Sequence, residues 1–101
     1  MLRRVRAGES RALGTLTRVD CSLDSVRFTV QSAGRTLVAA ATSMADIELT
    51  EFVGDPNFTL ACGSHASPEL VYLTWRPNDE WGLAAVGTAV AVEFLPKTFV
   101  P

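Results

Sequence analysis

The sequence predicts an all-β protein: a small five- or six-stranded antiparallel barrel, OB-like with an SH3-like plan as the alternative, with at most one short helical turn. Three observations lead there. Apolar residues recur with a period of two far more often than 3.6, which is the strand rather than the helix signature. Turn-forming residues punctuate the chain at short intervals. The chain has 101 residues, room for one core, and several short strands of this size bury their apolar faces and lose their exposed edges best by closing into a barrel.

The elements follow in order. Gly14 to Cys21 is β-branched and reads as a first strand, and Ser22-Leu23-Asp24-Ser25 turns it into the second. In Val26-Arg27-Phe28-Thr29-Val30-Gln31 apolar and polar side chains alternate between faces, as in a half-buried strand. Ser32-Ala33-Gly34-Arg35 is a tight hairpin turn in which Gly34 supplies positive φ. Thr36 to Thr42 returns antiparallel, and Ala39 to Ala41 suit a place where other backbone comes close. Ser43 followed by Asp46 resembles a helix start, so a helical turn is expected at Ser43–Ala45, followed by a strand in which Ile47 and Leu49 alternate with Glu48 and Thr50.

Gly54-Asp55-Pro56-Asn57 is the strongest turn signal and opens a stretch, to Pro68, that is expected to be irregular. Beyond it Val71, Leu73 and Trp75 share one face while Leu70 and Tyr72 share the other. A strand apolar on both faces is either central or covered. A loop runs from Arg76 to Gly82. The last strand, Val86 to Leu95, puts Val90, Val92 and Phe94 on one side and Ala89, Ala91 and Glu93 opposite. The expected organisation is a flexible basic segment or linker over 1–12, the barrel over 13–96 and an extended tail over 97–101.

Forty-eight per cent of the chain is hydrophobic and 20% charged, which predicts a folded domain. Its longest unbroken apolar run, Leu37 to Ala41, falls far short of the roughly 18 residues of a membrane span, and the N-terminus lacks the order of a signal peptide. Four arginines (Arg3, Arg4, Arg6, Arg11) stand against one acid, Glu9, in the first 11 residues, whereas the rest carries five bases against ten acids. So acidic a body disfavours a nucleic-acid backbone, which is bound by replacing counterions with Lys and Arg.

Several residues resemble a family of bacterial β-barrel domains that sit at the C-terminal ends of larger proteins, often ones with tetratricopeptide repeats. They are Gly14-Thr15-Leu16-Thr17-Arg18-Val19-Asp20-Cys21, Val26–Val30, Gly34-Arg35-Thr36-Leu37, Ile47-Glu48-Leu49, and Phe58 to Cys62-Gly63. Where that family tends to place a proline before the second cysteine, this chain has Ala61. The resemblance implies an accessory module and brings no catalytic residue with it.

Cys21 and Cys62 leave two readings open: a disulfide, or two separate reduced thiols. A bridge between them would be worth roughly 4 kcal/mol on the chain-entropy model, a large part of a small domain's net stability of about 5–15 kcal/mol. The compartment hangs on the same choice. Cys62-Gly63-Ser64-His65, even with Cys21, offers at most three zinc ligands of the four a structural site uses. No third group orients a Cys62/His65 nucleophilic pair, so His65 reads as a solvated loop residue. Of the acids, only Glu93 stands in an apolar run; the others read as solvated surface, without the facing pair that hydrolysis of glycosides requires. Cofactor and hydrolase signatures are absent.

The feature above background is aromatic. Tyr72, Trp75 and Trp81 fall in or beside one loop, and Arg76 can stack on either indole. Trp and Arg are enriched at interface hot spots, so these four are the candidate binding residues. Trp75 filling the core and Trp81 capping the barrel is the competing structural role. The expectation is a non-enzymatic accessory domain with no cofactor and no metal, contacting protein in its parent chain or in a second copy. The alternative is an OB-type module for single-stranded nucleic acid or oligosaccharide.

Overall fold

The computed structural model describes residues 2–54 and 60–101. Six strands form one continuous sheet: β1 (Ser10–Cys21), β2 (Val26–Ser32), β3 (Arg35–Ala41), β4 (Glu48–Glu51), β5 (Gly63–Pro77) and β6 (Gly87–Phe94), with a 3-10 turn at Met44–Asp46 between β3 and β4. Their order is β3-β2-β1-β5-β6-β4, and β3 also pairs with β6, so β1, β2, β3, β6 and β5 close a five-stranded barrel. No helix among the described residues is long and apolar enough to cross a membrane.

The first three strands form the expected meander. β2 and β3 are joined by Ala33 (φ 50) and Gly34 (φ 78), two positive φ angles in succession that give a hairpin turn of the same hand as the strand twist. The 3-10 turn begins where Ser43 Oγ accepts from the Ala45 backbone N–H at 3.2 Å.

The barrel closes through parallel rather than antiparallel pairing. Ala39 and Ala40 lie beside Gly87 and Thr88, and β4 runs parallel to the second half of β6. The connection from β3 to β6 is long enough to carry the chain back to the same end of the sheet, as parallel pairing requires. The small residues are needed there: a β-carbon at Gly87 would run into the Arg76 carbonyl.

Four further details differ from the sequence reading. β1 starts at Ser10, so residues 10–12 belong to the sheet and not to a flexible lead: Ser10, Arg11 and Ala12 pair with Trp75, Thr74 and Leu73, and Ala12 packs on the core. β5 starts at Gly63, inside the stretch expected to be irregular, because Gly63 and Ser64 pair with Val19 and Arg18. Of the Gly54–Asn57 turn, only Gly54 lies within the described residues. In β6, Ala89 joins Val92 and Phe94 in the core while Val90 is half-buried. Trp75 pairs with Ala89 and Thr74 with Ala91, and this register shift moves the inward face by one residue. Finally, the tail turns back at Pro96–Phe99, where Phe99 N–H donates to the Pro96 carbonyl at 2.9 Å, and sets the Phe99 ring edge-on to Tyr72 with centroids 5.6 Å apart.

The interior holds Leu16, Val19, Phe28, Val30, Leu37, Val71, Leu73, Val92 and Phe94, all at most 4% exposed. Burial does not stop at the barrel wall. Thr74 and Glu93 sit on the outward faces of β5 and β6, yet they are 0% and 1% exposed. Segments from both ends of the chain pack against this outer face, which answers why β5 is apolar on both sides.

Candidate functional site

The four candidate binding residues do not form one patch. Trp75 points inward and packs against the core. Tyr72 points outward, where the Arg11 guanidinium lies 4.3 Å above its ring. Arg76 is exposed, and the cation over Trp81 is Arg27 instead, 5.9 Å from the indole centroid. Arg27 also donates to the Trp81 carbonyl at 3.3 Å. Trp81 Nε1–H donates to Thr88 Oγ1 at 3.0 Å, and the same oxygen accepts from Asn78 Nδ2 at 2.8 Å. The loop 78–86 is thereby moored to β2 and β6. Beside this mooring Leu83 is fully exposed, as is Leu23 in the turn that leads into β2.

Cys21 and Cys62 form a disulfide, with Cα atoms 5.8 Å apart, so the reading as separate thiols gives way. β1 ends at Cys21 and its pairing of Val19 with Gly63 brings Cys62 alongside. His65 is not a solvated loop residue. It lies in β5 with a side chain 7% exposed, its Nδ1 2.7 Å from Glu69 Oε2 and its Nε2 2.8 Å from the Ala61 carbonyl. Burial opposes the charged imidazole, but the Ala61 carbonyl and the Glu69 carboxylate together outweigh it and raise the His65 pKa above the ordinary 6.5. Among the described residues, no group of three or more His, Cys, Asp or Glu side chains is arranged to hold a metal ion. An apolar recess of about 190 Å3 opens between Leu49, Thr50, Glu51, Leu60 and Phe94.

The most concentrated chemistry lies on the outer face of β4, β6 and β1, and it centres on Arg3. The Arg3 guanidinium grips Glu9 through two bonds, 2.7 Å to Oε1 and 3.0 Å to Oε2. Its Nε donates to Glu48 Oε2 on β4 at 2.8 Å. The Arg3 backbone N–H donates to Glu93 Oε2 on β6 at 2.8 Å, and its carbonyl accepts from Arg11 on β1 at 2.8 Å. Arg11 completes the ring, 3.9 Å from Glu93 Oε1. The Arg3 side chain is 8% exposed, Glu9 5% and Glu93 1%. The Arg3 side chain, helped by the Arg6 backbone N–H, holds the Glu9 carboxyl at a pKa of about 2, and Glu9 in turn raises that of Arg3.

Two signs of this cluster stood in the sequence, an acid within the apolar run of β6 and arginines crowded near the start. Nothing local connected them. No family model, curated protein or solved structure matches the chain.

Proposed function

We propose that the barrel is a non-enzymatic accessory module that makes protein contacts, with a second copy or with the remainder of a larger protein. The observation that carries this reading is Leu83, fully exposed next to Trp81 and its covering Arg27. The half-buried Trp81–Arg27 pair has the residue types enriched at interface hot spots, and Leu83, two residues on, adds uncovered apolar surface. Two further features support it. The cysteines are committed to each other and His65 to Glu69 and Ala61, which leaves the nucleophile candidates of the sequence otherwise engaged. The resemblance to C-terminal barrel modules of bacterial repeat proteins points the same way.

Sedimentation velocity across a wide concentration range tests the reading. Concentration-dependent association, weakened at least tenfold by Leu83→Ser or Trp81→Ala, is expected. A strict monomer at several hundred micromolar overturns contact between copies.

The strand order favours a second reading. A meander of three strands whose third closes in parallel on the last is the plan of an OB-like barrel, and such barrels bind single strands or sugars on exposed aromatics. Titrating tryptophan fluorescence with single-stranded DNA and with oligosaccharides separates the two readings. Saturable quenching by either ligand, lost in Trp81→Ala, would replace the first reading with the second. The acids Asp79 and Glu80 beside Trp81 oppose a phosphate backbone.

A further inference from the structure

We propose that the acidic outer face of β4 and β6 is a receptor for an extended, arginine-bearing peptide segment, filled here by the chain's own residues 2–7 and open to the same segment of a second copy. It is a different surface from the Trp81 end of the barrel, and it stands or falls separately.

Four observations carry it. First, the segment is held by polar contacts: Arg3 bonds to Glu9, Glu48, Glu93 and Arg11, and the Arg6 backbone N–H donates to Glu9, while Arg4, Val5, Arg6 and Ala7 are exposed. Secondly, Glu48 and Glu93 lie 45 and 90 residues from Arg3. They belong to the barrel rather than to the segment and can take the same bonds from another molecule. Thirdly, the segment leaves the barrel through Gly8, at φ 80, an exposed position with open space around it. Release of the segment there opens the turn that Glu9 N–H closes on the Arg6 carbonyl at 3.1 Å, outside the β1 pairing that begins at Ser10. Fourthly, the receptor is not saturated. Glu93 Oε1 and Thr74 Oγ1 are buried on the same outward face and make no hydrogen bond among the described residues. Glu93 is 1% exposed and its Oε1 has the Arg11 guanidinium only at an ion-pair distance of 3.9 Å, so it can still accept a hydrogen bond, and guanidinium is the side chain with the most donors. The charges match as well, an arginine-rich segment against a body with twice as many acids as bases.

The test uses the full chain carrying Arg3→Ala, in which the resident segment loses its guanidinium bonds to Glu9 and Glu48, keeps backbone bonds to Glu93 and Arg11, and leaves the receptor side chains intact. A fluorescent peptide of sequence Leu-Arg-Arg-Val-Arg-Ala is titrated against it by anisotropy at low ionic strength. Saturable binding is expected, weakened at least tenfold by alanine at the peptide's first arginine, by Glu48→Gln in the host, or by 0.5 M salt. The wild-type chain should bind the peptide more weakly than Arg3→Ala, because its own segment competes. Arg3→Lys, which keeps the charge and loses the fork, is the second host if Arg3→Ala does not fold. Absence of saturable binding to a folded host overturns the proposal, as does binding indifferent to which arginine is removed. Either result leaves the Leu83 and Trp81 contact surface untouched.

Discussion

Arg3 and Glu93 are ninety positions apart in the chain, yet the backbone N–H of the first lies 2.8 Å from a carboxylate oxygen of the second. That bond places a buried negative charge on the outside of a barrel wall and covers it with an arginine. It makes the N-terminal segment part of the folded unit. The stability of the domain should therefore respond to residues that the alternating strand pattern alone would class as surface.

Removing the acid tests this directly. Glu93→Ala leaves the Arg3 amide without its acceptor and the Arg11 guanidinium without its ion-pair partner, and should cost about 3 kcal/mol in urea unfolding. Glu93→Gln keeps an acceptor at the same place and should cost about 1 kcal/mol. Equal losses for the two would show that the carboxylate merely fills space.

Acid should loosen the segment. The Glu9 carboxyl titrates at about 2 when folded, against an ordinary 4.5. A depressed folded pKa means that its contribution is complete above pH 4.5 and is lost as the pH falls toward 2. The difference in melting temperature between wild type and Glu9→Gln should stay constant from pH 7 to 5 and shrink below that. Thermal melts followed by circular dichroism read it.

His65 should act with the opposite sign. Its folded pKa is raised above 6.5, so its contribution is present below pH 6.5 and lost as the pH rises through the folded value. Proton NMR of the single imidazole should give a midpoint above 6.5, and Glu69→Gln should move it down.

Reducing the disulfide should be costly. Cys21 and Cys62 are 41 positions apart, and opening a loop of that length corresponds to about 4 kcal/mol on the chain-entropy model. Urea midpoints with and without a dithiol reductant measure the loss. A Cys21→Ala/Cys62→Ala double variant should match the reduced protein.

The closing seam should tolerate no added atoms. Gly87→Ala drives a methyl group into the Arg76 carbonyl, and such overpacking costs about 1–3 kcal/mol. Thr88→Ser, one residue on, removes only a methyl, keeps the hydroxyl that receives Trp81 and Asn78, and should be close to neutral by the same melts.

Much of the barrel could be read from the residues because strand alternation is a local property. Val26, Phe28 and Val30 face inward by spacing alone, and Ala33-Gly34 announces its own turn. The same logic failed at Val90, where a shift in pairing with β5 exchanged it for Ala89. It failed again at Gly63 and Ser64, inside the stretch to Pro68 read as irregular, which are strand through pairing with Val19 and Arg18 of β1 and not through their own composition. The candidate site was half legible. Glu93 stood out as an acid in an apolar run, but its partner lay at the far end of the sequence. Of the aromatic group, Trp75 proved to be core, and Trp81 took Arg27 rather than Arg76.

The sequence by itself determined the all-β class, the meander, the helical turn at Ser43 and most inward-facing side chains, because period-two patterning and turn chemistry act over a few neighbouring residues. Only the tertiary structure decided that β3 meets β6 in parallel, that Cys21 meets Cys62, and that Arg3 closes over Glu93. Each of those is a meeting of distant segments, chosen by how the closed barrel brings its strands and ends together, and no single stretch of the chain contains both halves of it.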